Sequence, residues 1–199
     1  MAERAVLEAV TPGLDVKIMR IGNLMARSID GEFQINWNTN SFLGLLKAYR
    51  IVGSLPYEAL SQAVEFSAVN YATRAVLALA QTPPNCVVFH PYNNLVVYFR
   101  DIVGALARVG IALEACEATA WDTRYGEALR DLNKARYLLS LFAHNTWDAG
   151  QSVEPIATEN DYTIAVLDRL GLTWPIVTDA YLNKFMEAME SLGYFEGNL

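Results

Sequence analysis

Cysteine and histidine are scarce in this sequence, with two of each among 199 residues. Two cysteines, Cys86 and Cys116, cannot make a disulfide framework. Their sparseness fits a reducing compartment, with each read as a buried free thiol. His90 falls in a turn and His144 near a helix end. Combined with the two cysteines they match no common zinc spacing, so no metal is expected. There is no glycine-rich phosphate loop, no G-x-S-x-G elbow and no H-E-x-x-H, so no catalytic residue and no cofactor is assigned, and the chain is read as not an enzyme. No uncharged apolar run reaches the roughly 18 residues that a membrane helix needs. The opening MAERAVLEAVTPG carries Glu3, Arg4 and Glu8 where a signal peptide would be apolar. The expectation is a soluble, intracellular protein with no membrane partner.

What is abundant is apolar surface, at 53% of residues, enough for a sizeable core in one domain or in one domain with an appendage. The net charge of −7 is uneven: from residue 150 onward there are eight acidic and two basic side chains, against 14 and 13 before it. The expected division is therefore 1–149, a helical body with an N-terminal extension, and 150–199, an acidic helical hairpin appended to it. A nearly neutral body can still carry a basic stripe, so net charge does not exclude nucleic acid.

Along the chain, Pro12-Gly13 stops a short first helix. Val16 and Ile18 alternate as a strand would, and Phe33-Gln34-Ile35 beyond the Asp30-Gly31 turn predicts its hairpin partner. Thr39-Asn40-Ser41 is N-cap chemistry for a helix over 42–52, which Gly53 ends. Pro56 opens a long helix to about Ala80, with a stripe at Leu60, Val64, Ala68, Tyr71, Ala75 and Leu79. Cys86 to Phe89 is a short strand. After His90-Pro91-Tyr92, a helix is predicted from about Leu95 to Thr119, apolar nearly all round, as in an element covered on several sides by its own bundle or by a second copy. Further helices follow over 124–148, from Thr158 to Gly171, and from Ile176 to Leu192. The fold class that results is mainly α: a four-helix-bundle-like core, a β element near 86–89, a small N-terminal hairpin and a C-terminal helical hairpin.

Arg124, Arg130, Lys134 and Arg136 form the densest basic group, and Arg130 and Lys134 share a helix face. One reading is a solvated face with ion pairs to Glu127 and Asp131, each contributing a few tenths of a kcal/mol. The other is a stripe that meets phosphates, with Asn133 and Tyr137 for sugar or base contacts.

Val88-Phe89-His90-Pro91 followed by Val97-Tyr98, then Trp121-Asp122-Thr123-Arg124 and Arg130-Asp131, resembles the coat proteins of rod-shaped plant RNA viruses, the tobamovirus-like family, over about residues 40–148. This chain departs from that pattern by inserting His90 before the proline. The resemblance implies a virion subunit in the host cytoplasm that assembles with itself and packs single-stranded RNA in a helical particle. Arg124, Arg130, Asn133, Lys134 and Arg136 would then be the nucleic-acid-binding residues. Two alternatives stand beside it: a phage neck or tail adaptor ring without nucleic-acid contact, and an all-α small-ligand-binding protein or enzyme.

Overall fold

A computed structural model describes residues 2–10, 14–35, 37–135, 137–138 and 159–195. In chain order its elements are α1 (Ala2–Val10), β1 (Ile18–Met19), β2 (Leu24–Met25), a 3-10 turn (Trp37–Thr39), α2 (Ser41–Val52), β3 (Ser54–Pro56) and α3 (Tyr57–Leu60). Then come β4 (Ala63–Val64), β5 (Ser67–Ala68), α4 (Val69–Leu79), β6 (Val88–Phe89), β7 (Val97–Tyr98), α5 (Phe99–Arg108), β8 (Glu114–Cys116) and α6 (Ala118–Arg130). The last helices are α7 (Asp161–Arg169) and α8 (Asp179–Ser191). Contacts gather these into two compact units, each discontinuous in sequence. The first takes the described parts of Met1–Met25, Glu65–Val96 and Ile156–Val177, the second those of Ala26–Val64, Val97–Pro155 and Thr178–Leu199. α7 lies in the first unit and α8 in the second.

In the first unit, β1 runs parallel to β6 in the register Ile18↔Val88, and β2 runs parallel to β5 in the register Leu24↔Ser67. Parallel partners need a long crossover, and about seventy residues separate Ile18 from Val88. Ala72, Ala75 and Leu79 recur at helical spacing on α4, so one stripe of that helix is buried. It packs with Phe89, Leu167 and Trp174 into a core that also takes Met19, Leu24 and Ile164. The Tyr162 ring stacks on Phe89 with centroids 5.8 Å apart.

In the second unit, Asn40 caps α2 by accepting the Leu43 N–H at 3.1 Å, and Gly53 ends it in the left-handed region at φ 75°. β3 pairs parallel with β8, and β4 pairs antiparallel with β7. At the start of α5, Asp101 reaches back to the Tyr98 N–H at 3.1 Å. The buried side of α5, with Phe99, Ile102, Ala105 and Leu106, packs against α8. That helix also clasps the turn at Asp30-Gly31. The Tyr181 hydroxyl donates to the Ala26 carbonyl, Lys184 Nζ donates to Ile29 O at 2.8 Å, and the Phe33 and Phe185 rings lie 5.6 Å apart.

These pairings overturn the mainly-α reading: the chain is α/β, and three of its four described strand pairs are parallel. The strand expected near 86–89 is β6, but its partner is β1. No N-terminal hairpin joins β1 to Phe33-Gln34-Ile35, because Phe33 is a core residue against α8. The helix expected from Leu95 to Thr119 is strand, helix and strand, broken where Gly110 takes φ 86°. Within this stretch Val97, Phe99, Ile102, Ala105, Leu106 and Cys116 are buried by this same chain, while Leu95 and Val96 are exposed. The helix expected from Pro56 to Ala80 is interrupted by β4 and β5. Thr158, and the helix and linker expected over 139–157, lie outside the described residues. No helix is long and apolar enough to cross a membrane among the described residues.

Candidate active site

Where β1 and β6 end side by side in the first unit, both chains turn into polar segments: Arg20-Ile21-Gly22-Asn23 after one strand and His90-Pro91-Tyr92-Asn93 after the other. The Arg20 N–H still pairs with the Phe89 carbonyl at 2.9 Å, so the two segments leave the ladder in register. In open α/β sheets the crevice outside the carboxyl ends of parallel strands is where ligands bind.

Arg20 sets the charge there. Its Nε and Nη2 donate to the two Glu3 carboxylate oxygens at 2.8 and 2.6 Å, and its Nη1 lies 3.1 Å from His90 Nε2. The hydrogen bond from Arg20 holds the Glu3 carboxyl below its ordinary range and raises the guanidinium in return. A guanidinium only donates, so in this contact His90 Nε2 accepts. His90 Nδ1 is buried and has no hydrogen-bond partner among the described residues. The His90 backbone N–H donates to Thr163 Oγ1 at 2.8 Å, which ties the segment to α7.

Asn93, only 1% exposed, is the hub of the second segment. Its backbone N–H donates to Ser67 Oγ at 2.8 Å and its Nδ2 to the Phe66 and Pro175 carbonyls at 3.2 and 3.1 Å; its Oδ1 accepts the Leu95 N–H at 3.0 Å. Ser67 in turn donates to Glu65, which also accepts the Asn23 N–H at 2.9 Å. A Cβ on Gly22 would overlap the Glu65 carboxylate, which would have to move aside for any larger residue. Tyr92 stands between the two segments electrostatically. Burial first, then the Glu65 and Asp161 charges, push its phenol up, so it remains protonated at neutral pH. The arrangement offers the exposed Arg20–Glu3 ion pair, a protonated phenol and the Glu65 carboxylate beside the strand ends, groups that can hydrogen-bond a polar substrate.

The residues that the sequence pointed to lie elsewhere, in the second unit. Arg124 donates through both terminal nitrogens to Glu114 at 2.7 and 2.9 Å and is committed to that pair. Arg130 is exposed at the end of α6. The Asn133 N–H donates to Asp131 at 2.9 Å, Lys134 follows in a helical turn, and Arg136 lies outside the described residues. Among the described residues no three metal-ligating side chains converge; His144 is not among them. Sequence reasoning missed Arg20, Gly22, Asn23, Glu65 and Asn93. The available signal was the stretch Arg20 to Asn23 directly after the apolar alternation of Val16 and Ile18.

The α/β fold with its parallel strand pairs matches that of Rossmann-like reductase domains. No family model and no curated protein matches the chain. Solved structures do. The chain is 33% identical, with a TM-score of 0.84, to a thiolation-reductase di-domain from an archaeal non-ribosomal peptide synthetase, over 98% of its own length and 40% of that chain. It is 19% identical, with a TM-score of 0.75, to the terminal R domain from the myxalamid PKS-NRPS biosynthetic pathway, covering 100% of itself and 49% of that chain. For the reductase domain of the aureusimine biosynthetic cluster the values are 22% and 0.74, covering 96% and 48%. The chain spans less than half the length of these solved chains.

These likenesses overturn the resemblance to rod-shaped-virus coat proteins and what it implied: an RNA-packing homo-oligomer, a virion in the host cytoplasm, and a protein that is not an enzyme. The adaptor-ring reading and the all-α form of the other alternative fall too, since the fold is α/β and its likenesses are to reductase domains.

Proposed function

We propose that this chain forms part of a reductase domain that works with a nonribosomal peptide synthetase, and that the cluster around Arg20, Tyr92 and Asn93 faces the substrate. The observation that carries this reading is the 33% identity over 98% of the chain to the archaeal thiolation-reductase di-domain. The place of the cluster, at the carboxyl ends of parallel strands, supports it.

Reduction requires a hydride donor, and a dinucleotide donor needs a strand, a glycine-rich turn and a helix N-terminus for its phosphates. The residues here do not fit that need. β1 leads through Arg20 to Asn23 into β2 rather than into a helix, and the space beside Gly22 holds the Glu65 carboxylate, which repels an anion. The role proposed for this chain is therefore to position the substrate.

The test is a chimaera in which this chain replaces the matching part of the archaeal di-domain, assayed for reduction of a substrate carried on the thiolation domain. Retained activity, reduced at least about tenfold by Arg20→Ala, is the expected result; tenfold is what about 1.4 kcal/mol of lost positioning gives. A folded chimaera with no activity would overturn the proposal.

A further inference from the structure

We infer that β1 has a free edge that takes a strand from the part of the reductase domain that this chain does not contain, the part that carries the hydride donor. The inference rests on the reductase reading above and names the partner of that same site. In the β1–β6 ladder the Ile18 and Arg20 N–H groups donate to the Val87 and Phe89 carbonyls at 2.7 and 2.9 Å. Backbone groups alternate in direction along a strand, so the Met19 N–H and C=O between them point away from β6. Neither has a hydrogen-bond partner among the described residues. On the far side of β6 this chain supplies a partner itself: the His90 N–H, which points away from β1, donates to Thr163 Oγ1 on α7 at 2.8 Å.

A two-stranded pair is marginal in water, and parallel strands belong to sheets covered on both faces. Unpaired N–H and C=O groups along an edge are a template for a further strand. Leu14 and Ile21, which flank β1 in the chain, are 60% and 43% exposed, an apolar margin for such a strand. The occupant follows from what this chain lacks. It covers 40%, 49% and 48% of the solved reductase chains described above, and its own strand ends do not fit a dinucleotide. A strand running parallel to β1, as β6 does, would end beside Arg20 and bring the donor-binding part to the crevice that the polar strand ends border. A second copy of this chain could cover the same edge but would bring no donor site.

The test compares amide hydrogen exchange at β1 in the full chain alone and in the chimaera with the archaeal di-domain. In the dilute full chain the Met19 amide should exchange freely while those of Ile18 and Arg20, bonded to β6, are slowed. In the chimaera Met19 should slow by at least about tenfold relative to Ile18 and Arg20, as an amide does when an open edge becomes part of a ladder. Turnover is a separate readout: a protected Met19 in a chimaera that reduces nothing would count for the edge pairing and against the reductase reading alone. Turnover with Met19 exchanging as fast as in the full chain would overturn the inference. So would a Met19 amide already protected in the dilute full chain, or protection that rises with the concentration of the full chain, as pairing with a second copy would give.

Discussion

The Ser67 hydroxyl accepts the backbone N–H of Asn93 at 2.8 Å while giving its own proton to Glu65. One side chain on β5 thereby fixes the segment after β6 and the carboxylate beside Gly22. Ser67 is fully buried, so no solvent replaces either bond. Ser67→Ala should cost about 1–3 kcal/mol in urea denaturation, the range for a buried group left unpaired. Asn93→Ala should cost more, since it strips partners from the Phe66 and Pro175 carbonyls and from the Leu95 N–H. The two changes share a network, so the double variant should depart from additivity by about 0.5–3 kcal/mol. Additive losses would show that the bonds act separately.

Gly31 and Gly53 have nearly the same backbone, φ 76° and 75°, in different surroundings. A Cβ at Gly31 would run into the Lys184 carbonyl on α8, which as backbone cannot swing aside; at Gly53 nothing lies within 4 Å. Gly53→Ala should therefore show only the left-handed penalty, about 1–2 kcal/mol. Gly31→Ala should add the displacement of α8 and lower the melting temperature well beyond that. Equal losses would mean that α8 gives way freely.

The local signals were legible in the sequence wherever short-range chemistry decides the structure. Asn40 and Gly53 bracket α2 as cap residues do, and the alternation around Ile18 marked β1. Strand partners were not legible. The apolar stretch from Leu95 onward looks like one greasy helix because β7, α5 and β8 each contribute buried apolar residues, and their partners, β4, α8 and β3, lie far off in sequence. Periodicity carries no information on such pairings. The site was hidden for the same reason: Arg20 and His90 are seventy residues apart and meet only because β1 and β6 pair. The basic group over residues 124–136, in contrast, was conspicuous in sequence, yet its Arg124 closes a pair with Glu114.

The Glu3–Arg20 pair ties α1 to the end of β1. Arg20 lowers the Glu3 carboxyl below the ordinary glutamate value, so the pair's contribution is complete above that ordinary value and is lost as the pH falls through the lower, folded one. Both side chains are solvent-exposed, so salt should weaken the pair as well. Backbone chemical shifts of α1 should therefore remain native at neutral pH and move towards coil in acid, sooner in high salt. Glu3→Gln should show the acid-like shifts at neutral pH. An α1 signal indifferent to pH, salt and Glu3→Gln would show that other contacts hold the helix.

Gly22→Ala separates the site from the stability of the fold. The added methyl would fall on the Glu65 carboxylate, which the Asn23 N–H and Ser67 hold in place. The carboxylate is the end of a flexible side chain, so it can yield, but only by releasing both donors. The nearby β2–β5 ladder, with Leu24 opposite Ser67, then loses its support. Amide exchange at Asn23 and Asn93 should rise while the buried α4 stripe at Ala72 and Leu79 stays protected. In the chimaeric reductase the same change should reduce turnover far more than it lowers the melting temperature, because it moves the charge facing Tyr92 without opening the core. If activity and melting temperature fell together, Gly22 would be serving the packing of the first unit and the polar strand ends would have no separate part in substrate positioning.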